Sequence, residues 1–186
     1  MNLNNLINKD YLSHIIFITG GTKSGKSEFA EHLAKEVKKL SYVALSENNM
    51  DDKEWQEKIN LHQKRRPKDW ILIETTDLLN TLIKEEGPLL IDSIGGFVME
   101  SIEREHKEWV TKMHSLIQLL KKRKSKTFIV GEQVGWSLVS EYNIGNTYIE
   151  RIGELQKRIT KISKDNWLAI NGRAIKIDEI SIEIPT

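Results

Sequence analysis

Residues 20–27 read Gly-Gly-Thr-Lys-Ser-Gly-Lys-Ser, a spacing suited to gripping a polyphosphate. Gly20, Gly21 and Gly25 let the backbone curl until successive N–H groups point at phosphate oxygens, with Thr22, Lys23 and Ser24 between them. The Lys26 ammonium can reach the β- and γ-phosphates, and the Ser27 hydroxyl can hold Mg²⁺. An ordinary glycine-rich turn has a similar composition. Here, however, the apolar run Ile15-Ile16-Phe17-Ile18 precedes the loop and an amphipathic stretch follows it, the strand–loop–helix setting that phosphate binding needs. The implied ligand is a nucleoside triphosphate.

Two further clusters could act on that triphosphate. Leu89-Leu90-Ile91-Asp92 is an apolar strand ending in a carboxylate. Beside a P-loop such an acid holds Mg²⁺ directly or through water, so Ser27 and Asp92 are the candidate metal residues; elsewhere the same pattern is a turn or a cap. The second cluster surrounds His62. Trp55, Ile59 and His62 share one face of a helix opened by Asp51 or Asp52, so spacing alone makes His62 a half-buried packing residue at that helix's end. Lys64, Arg65 and Arg66 follow, and Pro67 stops the helix. That sequence permits another reading, in which a neutral imidazole of pKa ~6.5 attacks phosphorus while guanidinium groups balance the developing charge. Taken alone, the basic cluster also reads as a solvated loop.

These groups need a scaffold that gathers loop, strand end and basic segment along one edge. Short apolar runs at Ile15–Thr19, Tyr42–Leu45, Ile71–Glu74, Leu89–Asp92, Thr127–Val130 and Trp167–Ile170 predict strands covered on both faces. Helical stripes lie between them. Phe29, Ala30, Leu33, Ala34 and Val37 form one, ending in Lys38 and Lys39, and Trp109, Met113, Leu116, Ile117 and Leu120 form another, followed by an exposed basic run over Lys121–Lys124. Tyr148, Ile152, Leu155, Ile159 and Ile162 form the longest, with Glu154 and Arg158 as an i,i+4 pair. The alternation predicts an α/β fold of the P-loop NTPase (RecA-like) kind, a mainly parallel sheet flanked by helices. Arg173–Ile177 and Ile180–Ile184 are expected as a terminal hairpin or edge strands. Residues 14–186 read as a single domain after a short, Asn-rich extension over 1–13.

Composition narrows the function. With 28 basic against 27 acidic residues, no overall field favours nucleic acid or an acidic membrane. The absence of cysteine removes disulfides, thiolate metal sites and a Cys nucleophile. No run approaches the ~18 apolar residues of a membrane span, and the cytoplasm is the expected compartment. His14, His32, His106 and His114 lack metal-site spacing, and His106 with Glu103 and Glu105 reads as a solvated helix face. Trp136 either covers a ligand or plugs a loop, the plug being the plainer reading.

In combination these motifs resemble the bifunctional adenosylcobinamide kinase / adenosylcobinamide-phosphate guanylyltransferase family of cobalamin biosynthesis. The matching pieces run in order across nearly the whole chain after residue 14: Thr19–Ser27, Tyr42-Val43-Ala44, Asp52-x-Glu54, Ile59-x-x-His62-x-x-x-Arg66-Pro67-x-x-Trp70, Glu74, Leu90-Ile91-Asp92, Val134-Gly135 and Gly153. The His-x-x-x-Arg-Pro-x-x-Trp element beside this P-loop sets the packing reading of His62 aside. The resemblance implies that GTP guanylylates His62, which passes GMP to adenosylcobinamide phosphate. It also implies a kinase step in which GTP or ATP at the P-loop, with Mg²⁺, phosphorylates the aminopropanol hydroxyl of adenosylcobinamide. Implied nucleotide contacts fall on the P-loop, on Ala44, Leu45 and Ser46, on Gln63, Lys64, Arg65 and Arg66, and on Glu74 and Asp92. A homotrimer is implied as well.

Several positions depart from the family pattern. Glu132-Gln133 replaces Asn-Glu, Ser140 replaces Pro, Ile149-Glu150 replaces Arg-Asp, Gln156-Lys157 replaces Asn-Gln, and Gly95 replaces Thr. These changes cluster where corrinoid or inter-subunit contacts are expected, and they leave His62, Arg66 and the P-loop intact. A P-loop kinase without guanylyl transfer, or one acting on another small alcohol, is the nearest rival. A nucleotide-dependent binding module is a further rival, although no Asn-Lys-x-Asp base-recognition loop is present.

Overall fold

The apolar runs fold into one seven-stranded sheet in a computed structural model that describes residues 14–45, 66–136 and 140–185. In chain order the elements are β1 (Ile15–Gly20), α1 (Lys26–Ala34), β2 (Ser41–Ala44), β3 (Ile71–Glu74), α2 (Leu78–Lys84) and β4 (Leu89–Asp92). They continue with α3 (Gly95–Glu100), α4 (His106–Lys122), β5 (Thr127–Glu132), α5 (Asn143–Ile162), β6 (Asp165–Ile170), β7 (Arg173–Lys176) and α6 (Ile177–Ile180). The strand order is β3-β2-β4-β5-β1-β6-β7, parallel except for the antiparallel β6–β7 pair. This is the α/β architecture that the alternating runs predict.

Successive side chains on a strand point to opposite faces, and that alternation divides the core in two. Ile15, Phe17, Val43, Leu89, Ile91 and Ile129 pack with Trp109, Met113, Leu116 and Leu120 of α4 and with Ile152, Leu155 and Ile159 of α5. Ile18, Tyr42, Leu90, Phe128 and Val130 pack on the other face with Ala30 and Ala34 of α1. Each fully buried Leu, Ile or Phe contributes about 1.5–3 kcal/mol, so the two clusters hold the sheet firmly behind its C-terminal edge.

Three expectations need correction. Helix α1 stops at Ala34, because Val37 N bonds Ala34 O at 2.8 Å and Lys39 takes φ 52, leaving Lys38 and Lys39 in the turn beyond. In the basic run Lys121, Lys122 and Lys124 are exposed as expected, the first two closing α4, but Arg123 is not. Arg123 is buried, its Nε donating to Thr127 Oγ1 at 3.0 Å and its amino groups to the Glu85 and Gly87 carbonyls, so its own donors are satisfied in the interior. At the C-terminus, Arg173–Lys176 is an edge strand, reached through a turn at Asn171 (φ 49) and Gly172 (φ 73), but Ile180–Ile184 forms no strand. Asp178 instead accepts from Asn166 N at 2.7 Å and Asn166 Nδ2 at 3.0 Å, which turns the chain into α6. The Glu154–Arg158 pair forms as expected, at 3.1 Å.

Candidate active site

The first turn of α1 leaves N–H groups with no partner inside the helix. Its N-cap is Gly25 at φ 91, a conformation that side chains disfavour, and no side chain caps it. Gly20 is needed for a different reason: a Cβ there would overlap the Ala169 carbonyl and crowd Ser24 Oγ. Gly21 faces open space, so the close approach rests on Gly20 and Gly25. Ser24 Oγ is buried without a hydrogen-bond partner, Thr22 and Lys23 are exposed, and Lys26 Nζ folds back to Gly21 O at 3.2 Å. Unspent amides, a buried free hydroxyl and an ammonium thus surround one loop, the donor set a polyphosphate takes up.

Beside this loop the strands deliver a row of residues in register. Glu74 stands opposite Ala44, and Ala44 opposite Asp92, along the C-terminal edge of β3, β2 and β4. Ser27 Oγ donates to Asp92 Oδ1 at 3.2 Å, and Tyr42 Oη donates to Asp92 Oδ2 at 2.5 Å. Burial first, and then the negative charge of Asp92, raise the Tyr42 phenol pKa, so the hydroxyl stays protonated and donates. The Arg66 guanidinium lies 3.3 Å from the Tyr42 ring centroid, and its Nε meets Glu31 Oε1 at 3.4 Å. Glu31 and Ser27 sit one turn apart on α1, so Ser27, Asp92, Tyr42, Arg66 and Glu31 close a ring. Trp70 anchors the segment after Arg66 by donating from Nε1 to Val37 O at 3.1 Å. Ser27 and Asp92 present paired hard oxygens, a donor set that fits Mg²⁺.

A second cluster lies next to it on β5, between β4 and β1, where Glu132 pairs in register with Gly20. The Glu132 carboxylate accepts from the Ser93 hydroxyl and, at 3.2 Å, from the Gly95 amide. A Cβ on Gly95 would overlap the Tyr148 hydroxyl and stand 2.8 Å from both Glu132 oxygens, so this corner is closely filled. Burial pushes the Glu132 carboxyl up to about 7, against the opposing pull of Lys26 and the Gly95 amide. Burial also raises Tyr148, with the Glu132 charge adding to it. Gln133 and Gln156, both departures from the family pattern, join through Thr19: Thr19 Oγ1 donates to Gln156 Oε1 at 2.7 Å, and Gln133 Nε2 donates to Thr19 Oγ1 at 3.1 Å.

The structure therefore brings together Gly20, Gly21, Thr22, Lys23, Ser24, Gly25, Lys26, Ser27, Arg66 and Asp92, with Ala44 and Glu74 along the same edge. The Leu45 side chain is buried in the first core cluster. His62, Gln63, Lys64, Arg65 and Ser46 lie outside the described residues. Trp136 is 66% exposed and plugs no loop, whereas His106 is solvated as expected. Among the described residues no cluster of three or more His, Cys, Asp or Glu side chains is placed to hold a metal, and no helix is long and apolar enough to cross a membrane. Sequence reasoning missed Tyr42, which reads as one more strand residue, and Glu31, whose partner is distant in the chain. It also left Glu132 without a role, although an acid ending the strand beside the P-loop strand was a usable signal.

Comparison with known proteins places these features in a family. The family model described as CobU, "Cobinamide kinase / cobinamide phosphate guanyltransferase", matches residues 16–177. The chain is 25% identical over 181 residues to the bifunctional adenosylcobalamin biosynthesis protein CobU of Escherichia coli, covering 88% of this chain and 99% of that protein. It is 25% identical over 150 residues to the bifunctional adenosylcobalamin biosynthesis protein CobP of Pseudomonas aeruginosa, covering 77% and 86% respectively. Among solved structures, the assembled ATPase EscN of the enteropathogenic E. coli type III secretion system aligns with TM-score 0.55 at 12% identity over 84% of this chain. The chain spans only 42% of that ATPase's length, and the likeness is one of fold.

Proposed function

The chain belongs to the cobinamide kinase / cobinamide phosphate guanyltransferase family, and from that premise we propose that it is a bifunctional enzyme of adenosylcobalamin biosynthesis. It phosphorylates the aminopropanol hydroxyl of adenosylcobinamide with GTP or ATP. It then transfers GMP from GTP to adenosylcobinamide phosphate, giving adenosylcobinamide-GDP. In the transfer an imidazole nitrogen of His62 bonds to the α-phosphorus as pyrophosphate departs, and the acceptor phosphate then displaces the histidine, so that one difficult displacement becomes two. The kinase step asks for positioning and electrostatics, which Lys26 and the loop amides of Gly20–Ser27 provide. Ala44, Ser46, Gln63, Lys64, Arg65, Arg66 and Glu74 complete the nucleotide contacts in this reading. Mg²⁺ held by Ser27 and Asp92 neutralises charge on the β- and γ-phosphates when bound.

The observation that carries the proposal is the unbroken family match over residues 16–177, which spans both the P-loop and the His62–Trp70 element. The loop's unspent donors and the Ser27–Asp92 pair support it. Intact-mass spectrometry after incubation with GTP and Mg²⁺ tests it. The expected product is an acid-labile adduct one GMP residue heavier than the protein, absent in His62→Ala. An unlabelled wild type that still phosphorylates adenosylcobinamide would reduce the assignment to a kinase. A single domain from residue 14, a homotrimer and a cytoplasmic location belong to the same proposal, and the mass in solution checks the trimer.

A further inference from the structure

Among the other carboxylates near the loop, Asp92 holds Ser27 and Tyr42, Glu31 holds Arg66, and Glu74 stands two strands beyond Asp92. Glu132 is different. It is a half-buried acid on the strand beside the P-loop strand, and among the described residues no basic side chain is hydrogen-bonded to it. Its side-chain oxygens are instead met by the Ser93 hydroxyl and the Gly95 amide, and the Tyr148 hydroxyl crowds the same side of Gly95 as those oxygens do. We propose that Glu132 is the catalytic residue that takes the proton of the hydroxyl being phosphorylated, in an acceptor-alcohol subsite shared with Ser93, Gly95 and Tyr148. This inference rests on the kinase half of the function proposed above.

The chemistry balances without a further reactant. The alcohol oxygen forms a bond to the γ-phosphorus as the bond from that phosphorus to the β–γ bridging oxygen breaks. The electron pair of the broken bond leaves with the nucleoside diphosphate. The alcohol proton passes to the Glu132 carboxylate, which releases it to water after turnover. Position favours this role, because Glu132 stands opposite Gly20, the first glycine of the loop, on the edge where the triphosphate is held. Burial adds to it: a carboxyl with a pKa near 7 is a far better base at cellular pH than one near 4.5. The charged and titratable groups around it are Lys26 from α1, Asp92 from β4 and Tyr148 from α5, and Lys26 alone opposes the upward shift among these three.

A purely structural role is also available, since a carboxylate bonded to Gly95 N would tie down the start of α3. Glu132→Gln separates the two, because its amide oxygen can still accept from Gly95 N while its NH2 group donates to the Ser93 hydroxyl oxygen, and the amide takes no proton. With full-length protein, adenosylcobinamide, ATP and Mg²⁺, the variant is expected to lose about 10²-fold or more in kcat while its ATP affinity by calorimetry changes by less than about threefold. Wild-type kcat should rise with pH through about 7, and that limb should vanish in the variant. A Glu132→Gln enzyme within about threefold of wild type, or one that keeps the limb, overturns the proposal. Background ATP hydrolysis, with water as the acceptor, separates this inference from the reading beneath it. A wild type inactive on adenosylcobinamide but hydrolysing ATP in a Glu132-dependent way sinks the substrate assignment and keeps the base, whereas hydrolysis indifferent to Glu132→Gln sinks the base.

Discussion

Two corners lie side by side at the C-terminal edge of the sheet, both on the same side of the P-loop strand, and they handle charge in opposite ways. On the side of β2 and β4, Asp92 accepts from two hydroxyls, Arg66 is matched by Glu31 and lies over the Tyr42 ring, and the ring of contacts returns to α1. On β5, between β4 and β1, Glu132 is half-buried with a hydroxyl and an amide as its hydrogen-bond partners, and its pKa is raised by that burial. The first corner is electrostatically settled before a ligand arrives and can hold a charge-dense phosphate in a fixed place. The second holds a group that burial keeps near its neutral form, so its protonation responds to what binds. A site that grips one partner and activates another needs both kinds of environment.

Removing the grip should have the largest effect. Lys26→Ala deletes the ammonium at the loop, and both phosphoryl and guanylyl transfer are expected to fall by about 10³-fold, since both require the same triphosphate in place. Single-turnover rates for the two reactions check this. Loss of one reaction with retention of the other would mean that the two steps do not share a nucleotide site, and the two-corner comparison would break there.

The second corner should show its cost as stability. Glu132 titrates near 4.5 when unfolded and at about 7 when folded, so the native state holds its proton to higher pH. The unfolded chain releases that proton first as pH rises, and the free energy of unfolding declines from about pH 4.5 until pH passes about 7. Glu132→Gln removes the decline. The variant should be more stable than wild type at pH 8 by about 3 kcal/mol, with the difference shrinking towards pH 4. Urea unfolding at the two pH values measures it, and equal differences at both would show that the carboxyl is not strained by burial. Stabilisation together with lost phosphoryl transfer would identify a group kept for its chemistry.

What the sequence made legible follows from how local each signal is. The bounds of β3 and β4 fall where the apolar runs Ile71–Glu74 and Leu89–Asp92 predict, but only β4 is covered on both faces as expected, whereas β3 is the edge strand and stays largely exposed. The P-loop is legible because its glycines and Lys26 lie within eight consecutive residues. Arg123 was misread because the carbonyls it serves, at Glu85 and Gly87, come from another part of the chain. Tyr42 and Glu31 were invisible on the same ground, since the first acts through Asp92 and the second through Arg66. Leu45 shows the converse: its place after β2 is legible, but only packing shows that its side chain turns into the core.

The smallest effect concerns whether the second corner was rebuilt as a unit. Gly95 and Glu132 stand where the family pattern has Thr and Asn, and in the structure the smaller residue makes room for the larger. A Cβ at residue 95 would stand 2.8 Å from both carboxylate oxygens of Glu132, besides meeting the Tyr148 hydroxyl. All three obstacles are the tips of side chains, so Gly95→Ala should cost a modest amount, about 1–2 kcal/mol. Shortening the neighbour by Glu132→Asn withdraws two of the three obstacles, and in that background the same alanine should cost about 1 kcal/mol less. A double-mutant cycle by urea unfolding gives the coupling directly. Additive costs would mean that the two departures arose independently and that the close fit at this corner carries no energy. Phosphate affinity at the P-loop serves as the control: if the two corners are independent, it stays constant through all four proteins of the cycle.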